Sequence, residues 1–212
     1  MTTFSLYTSF MNKVAIGLVG SMVSGKGTVA KYLQGLGFTY ESLSDRVREE
    51  ALRRHVPLTR TNLQNIGNDL RLQFGPHILA ERTLEILGDQ TDRLVLDGIR
   101  NPAEIDFLKQ ALGLTVMAID APVEMRLEWY LQRAEGRGED APTEAGFFVS
   151  NNRDFGIGEP DAGQQVQRCL AKADILIENN GSKKHLLAEV DYHLILDLGF
   201  SPEGARREQE KK

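Results

Sequence analysis

Short apolar runs closed by Gly, Pro or Asp recur along the chain, with stretches of helical period between them. This is the pattern of an α/β protein with a parallel sheet whose strands are covered on both faces. The clearest strands are Val14 to Val19, Leu94 to Leu96, Val116 to Ile119 and Asp174 to Glu178, with a weaker fifth at Phe38 to Ser42. Asn101-Pro102-Ala103-Glu104 combines an N-cap, a proline at the first helical position and an acid at the positive end of the dipole, so a helix is expected to about Leu112, ended by Gly113. From Asp45 to Leu87 the pattern is helical throughout, with Leu63, Ile66 and Leu70 on one face and a break at Gly75-Pro76, and reads as an all-helical insertion. Gln64, Asn68 and Arg71 share a polar face there that reads by default as solvated. Ala134 to Gly163 differs: six glycines among charges leave only Phe147, Phe148 and Val149 as an apolar patch, the composition of a mobile flap. Leu186 to Leu198 reads as a packed helix or an interface. Residues 1–10 and 199–212 read as loose tails on a single domain spanning 11–198.

Composition changes this picture little. With 212 residues, 41% of them apolar and 26% charged, the chain is ordinary globular material for one domain with insertions. A net charge of −5 argues against a partner that is a nucleic acid polymer held by bulk electrostatics. Sixteen of the 25 cations are arginine, whose planar fork matches phosphate and carboxylate. Cys169 stands alone, so neither an intrachain disulfide nor a thiolate zinc centre can form, which suits a reducing compartment. The run Val14 to Val19 is far too short to span a bilayer, and a cytoplasmic protein without membrane contact is expected. His55, His77, His185 and His193 are scattered and read as structural.

The chemistry concentrates after the first strand, at Gly20-Ser21-Met22-Val23-Ser24-Gly25-Lys26-Gly27-Thr28, followed by a helix. Glycines permit a tight turn whose backbone N–H groups converge on an anion, the helix adds its positive end, and Lys26 supplies a point charge for the outer phosphates. The strict pattern has Ser or Thr directly after the lysine, and here Gly27 precedes Thr28. Asp97, at the carboxyl end of the strand Leu94 to Leu96, stands where parallel sheets bind ligands and could hold Mg²⁺, with Arg100 within reach of a phosphate.

These motifs resemble the nucleoside monophosphate kinases, in their adenylate-kinase-like branch, whose loop variant ends Gly-Lys-Gly-Thr. The resemblance runs from about Val14 to about Val190. It implies a three-layer P-loop kinase fold with five parallel strands, a helical acceptor-binding insertion at 43–91 and a lid at 134–163. It further implies ATP with Mg²⁺, the metal held near Asp97 and Thr28, and transfer of the γ-phosphoryl group to a nucleoside monophosphate, a small-molecule nucleotide. Ser42-Leu43-Ser44-Asp45-Arg46-Val47-Arg48 is similar to the family's opening of the acceptor site, with its arginine at Arg48. Asp97-Gly98-Ile99-Arg100 is similar to the strand end bearing a second acceptor arginine. Arg133 and Gly136-Arg137 resemble the start of the lid, where one arginine lies against the donor base and another reaches the phosphates, and Arg153-Asp154 falls on the lid's return. Asn179-Asn180-Gly181-Ser182 looks like the turn beside the donor purine, so Asn180 and Gly181 join the nucleotide set.

Dephospho-coenzyme A kinase is the near rival. It would make Asp45 a base for a ribose hydroxyl, whereas Asp45 otherwise reads as an N-cap for a helix beginning at Arg46. A slowly hydrolysing nucleotide switch is the reading from another class.

Overall fold

Five strands, β1 (Val14–Val19), β2 (Thr39–Ser42), β3 (Arg93–Asp97), β4 (Thr115–Asp120) and β5 (Ile175–Glu178), form one parallel sheet in the order β2-β3-β1-β4-β5. The structure, a computed structural model, describes residues 14–87, 92–134 and 141–210. The central β1 pairs Gly17 with Leu96 on one side and Val116 on the other. From β1 the chain winds one way for β2 and β3 and the other way for β4 and β5, so the loops at the carboxyl end of β1 diverge and leave a crevice there.

Helices α1 (Lys26–Gly35), α2 (Leu43–Arg53), α3 (Arg60–Phe74), α4 (Ile78–Leu87), α5 (Pro102–Leu112), α6 (Val123–Ala134), α7 (Glu144–Phe155), α8 (Val166–Leu170), α9 (Lys183–Leu196) and α10 (Pro202–Gln209) surround the sheet. Strand alternation divides the core in two. Ala15, Val19, Leu94, Leu96, Val116 and Ala118 pack with residues of α2 to α5 and with Cys169. Ile16, Leu18, Val95, Met117 and Ile119 pack against Val29 and Leu33 of α1 and Leu186, Val190 and Leu194 of α9. Because both faces are covered, the strands read as continuous apolar runs. Among the described residues no helix is long and apolar enough to cross a membrane.

The expected helix after β3 forms with its full capping box: Asn101 accepts from Ala103 N at 3.0 Å, and Glu104 accepts from Asn101 N at 3.0 Å. Asn101 Nδ2 also donates to the carbonyls of Asp161 and Gly163, at 2.9 and 2.8 Å. Asn101→Ala should therefore lower stability by about 2 kcal/mol, the upper end for an N-cap. A urea titration should show an earlier midpoint with unchanged slope, and an unmoved midpoint would contradict the cap.

Three expectations are corrected. The helix expected to begin at Arg46 with Asp45 as its cap begins three residues earlier, at Leu43, because Ser42 Oγ accepts from Ser44 N and caps α2, leaving Asp45 inside the first turn, 3.3 Å from Arg48. The glycine-rich flap contains α7, capped by Thr143 and closed by Gly156 at φ 98°. Its Phe147 is fully buried against Tyr130, so Gly146 and Gly156 belong to a docked helix and its cap, while Gly136 and Gly138 lie outside the described residues. The end of the chain does not fray from Ser201: Ser201 and Pro202 start α10, Ala205 is buried, and Arg206 pairs with Asp191 at 2.9 Å. The expected tail at 1–10 lies outside the described residues.

Candidate active site

The crevice is floored by the loop between β1 and α1. Gly20 has φ 145°, and a Cβ there would lie 2.0 Å from the carbonyl oxygen of Ile119, so only glycine lets the loop lie flat against β4. Gly25, at φ 105°, would place a Cβ 2.5 Å from Asn179 Nδ2. It starts α1 with no side-chain cap, so the positive end of the helix is left to the loop. Val23 holds a left-handed conformation at φ 63°, unusual for a β-branched residue and typical of strained functional turns. The loop is tied from behind: Ser21 Oγ donates to Asp120 Oδ1 at 2.6 Å and Asn179 Nδ2 to the Ser24 carbonyl at 3.0 Å. Ser24 Oγ is buried with no partner among the described residues.

Lys26 Nζ folds back over this loop, donating to the carbonyls of Gly20 and Ser21, each at 2.8 Å. Burial lowers its pKa to about 8 even though Asp97 opposes the shift, and the nearby Arg100 lowers it further. Asp97 ends β3 and accepts from Gly98 N at 2.6 Å. Arg100 is ion-paired with the buried Asp154 of α7. Burial works against its charge, but Asp154 and Asp97 outweigh that and raise its pKa.

The loop residues Val23, Ser24, Gly25, Lys26, Gly27 and Thr28 line a cavity of about 700 Å³, completed by Asp97, Arg100, Arg133 and Gly181. That is the size of a nucleotide-scale pocket. A second cavity, of about 40 Å³, adjoins it and shares Ser44, Arg60, Gly98 and Arg100 with it. Arg48, Gln64, Arg71 and Gln164 complete the polar part of its wall, and no carboxylate lines it among the described residues.

Other expected residues lie apart from both cavities. Gly20 and Ser21 shape the loop from behind. Ser42 caps α2, and Ser44 takes the place by the cavity. Asp45 pairs with Arg48. Asn180 is exposed, while the buried Asn179 supports the loop. Arg153 is turned away, bonded to Glu159 Oε1 at 2.6 Å and Asn65 Oδ1 at 3.1 Å. Arg137 lies outside the described residues. The face of Gln64, Asn68 and Arg71, expected to be solvated, is instead buried. Trp129 and Arg60 were not anticipated from the sequence and line the first cavity. Trp129 had a legible signal, one helical turn from Arg133 on α6.

No protein-family model matches the chain. A UPF0200 protein of Methanoregula boonei is 32% identical over 177 residues, 82% of this chain and 92% of that protein. A UPF0200 protein of Pyrococcus abyssi is 31% identical over 182 residues, 82% of this chain and 91% of its own length. Among solved structures, the shikimate kinase of Aquifex aeolicus aligns with a TM-score of 0.52 at 18% identity, over 87% of this chain and 98% of that one. The likeness to such neighbours lies in the fold. At 18% identity it shows a fold shared with that kinase and does not single out the nucleoside monophosphate kinases.

Proposed function

The chain belongs to the UPF0200 family and has the fold of the P-loop kinases, and we propose that it transfers the γ-phosphoryl group of ATP to the phosphate of a nucleoside monophosphate, giving ADP and the diphosphate. The observation that carries this reading is the pair of adjoining cavities. One is floored by the phosphate loop, and the other is lined by Arg48, Arg60, Arg71 and Arg100 without a carboxylate among the described residues.

The donor site fits a polyphosphate: Gly20 and Gly25 have no room for a side chain, and among the described residues no side chain caps the positive end of α1 and none partners the buried Ser24 hydroxyl. Thr28 and Asp97 are the residues that would hold Mg²⁺. Such an ion needs few protein ligands beside substrate phosphates, and when bound it neutralises charge on the phosphate oxygens.

Phosphoryl transfer asks the protein for position and for cations around spreading charge. Lys26 exchanges the carbonyls of Gly20 and Ser21 for donor phosphate oxygens. Arg100 lines both cavities and so stands where the transferring group must pass, its guanidinium held by Asp154. Arg133 and Trp129 flank the donor. An acceptor phosphate oxygen is already anionic and needs no general base, which suits a pocket with no carboxylate among its described lining residues. Under this reading Arg153 stabilises the docked α7 segment through Glu159 and makes no direct contact with the reacting groups.

ADP release from Mg·ATP, measured against a panel of ribo- and deoxyribonucleoside monophosphates with dephospho-coenzyme A beside them, tests the reading. Turnover is expected with one class of monophosphate. Turnover with dephospho-coenzyme A alone would replace it with transfer to a hydroxyl, and acceptor-independent hydrolysis would replace it with a switch.

A further inference from the structure

Arg71 carries an anomaly. Its side chain is 2% exposed and is paired with Glu104, which is 0% exposed. Both Nε and Nη2 point at the same oxygen, Glu104 Oε1, each at 2.8 Å. The other oxygen, Oε2, is taken by two backbone donors, Arg100 N at 2.8 Å and Asn101 N at 3.0 Å. Glu104 therefore has nothing left to offer, and Arg71 Nη1 is buried with no partner among the described residues. Leaving charged N–H groups dry and unsatisfied is unfavourable, and a buried ion pair contributes little to stability against an apolar pair of similar volume. A structural role alone accounts poorly for that choice.

Arg71 lines the second cavity, and Gly67, one turn earlier on α3, leaves the space beside Nη1: a Cβ at Gly67 would lie 3.3 Å from it. Arg48 and Arg100 line the same cavity. We propose that Arg71 is an anion-binding residue of the acceptor site, its open guanidinium edge oriented by Glu104 and taking a phosphate monoester together with Arg48 and Arg100. This deepens the kinase reading and rests on it for the identity of the anion. Planar N–H donors fixed by a buried carboxylate are pre-organised for phosphate oxygens, and with other arginines nearby they suit a dianion better than a neutral hydroxyl.

The direct test is calorimetric titration of inorganic phosphate into protein saturated with ADP, which occupies the loop and leaves the acceptor side to the probe. Wild type should bind phosphate. The double variant Arg71→Met/Glu104→Gln, which neutralises both members of the pair together, should bind it about ten- to a hundredfold more weakly, the loss expected for charge-assisted hydrogen bonds. Its ADP affinity and circular dichroism should be unchanged. Gly67→Ala leaves the ion pair intact and adds a methyl beside Nη1. It should weaken phosphate several-fold while the helix gains propensity, so it decides the matter even if the double variant fails to fold. In the panel assay both variants should raise KM for the monophosphate and leave KM for ATP unmoved, a split that lost packing alone would not produce. Phosphate affinity equal in all three proteins, or no phosphate binding to wild type, overturns the proposal. If phosphate binding depends on Arg71 but ADP release requires no acceptor, the anion site stands and the kinase reading falls.

Discussion

Lys26→Met should cut turnover by about 10²- to 10³-fold, the usual loss when one preorganised donor to a charged transition state is removed, and should melt no lower than wild type at pH 7. The two halves of this expectation share a cause. Burial brings the ammonium down to a pKa of about 8 from 10.5. A lysine whose folded pKa lies below its unfolded value disfavours folding while it is protonated in both states. That penalty is full below about pH 8 and fades as pH rises toward 10.5, because there the unfolded chain binds more protons than the folded one. Methionine removes the penalty and the catalytic charge together. The stability gap between variant and wild type should therefore narrow between pH 8 and 10.5. In wild type, kcat/KM for ATP should fall above about pH 8, because that ratio reports the free enzyme, while kcat should persist to higher pH, since bound phosphates favour the ammonium. Near wild-type turnover in a folded Lys26→Met protein would falsify the assignment of Lys26 to the donor phosphates.

The strands were legible because a parallel sheet covered on both faces leaves unbroken apolar runs, and β1 matches its run residue for residue. The phosphate loop was legible because its glycines answer to backbone geometry, as the short approach of Gly20 to Ile119 shows. Periodicity alone could not say what a polar face looks at. Arg60, Gln64, Gly67 and Arg71 follow one another at helical spacing on α3, and only the packing of α3 beside α2 and the segment around Gln164 turns that stripe into a cavity wall. On α7 the buried positions are Phe147, Asn151 and Asp154, at spacings of four and three, which aims Asp154 at Arg100 and carries the adjacent Arg153 off that face. The Asn179 and Asn180 pair was resolvable in principle: Ile175, Ile177 and Asn179 share the inward parity at the end of β5, and Asn180 falls outside it. At Ser201-Pro202 a start signal for α10 was present but outweighed by the polar composition that follows it.

Glu104→Ala should lower the unfolding free energy by about 3 to 5 kcal/mol, the cost of breaking a buried ion pair from one side, out of the 5 to 15 kcal/mol typical of a domain. One carboxylate joins three parts of the molecule. It holds Arg71 of the helical insertion, accepts from Arg100 N at the strand end that faces both cavities, and completes the cap of α5 through Asn101 N. Alanine would leave the Arg71 guanidinium charged, buried and without its counterion, and would return two backbone N–H groups to the unsatisfied state. Glutamine keeps an acceptor for those N–H groups and should cost less. If the uncompensated charge dominates, Arg71→Met added to Glu104→Ala should recover part of the loss, whereas independent contributions would make the two changes add. Urea titrations of the two single variants and the double close this cycle. A Glu104→Ala midpoint close to wild type would mean that the pair does not hold the insertion to the core. The geometry predicts the opposite: Arg71 of the insertion, the end of β3 at Arg100 and the cap of α5 meet at this buried carboxylate, so its loss should loosen the second cavity before it disturbs the loop between β1 and α1.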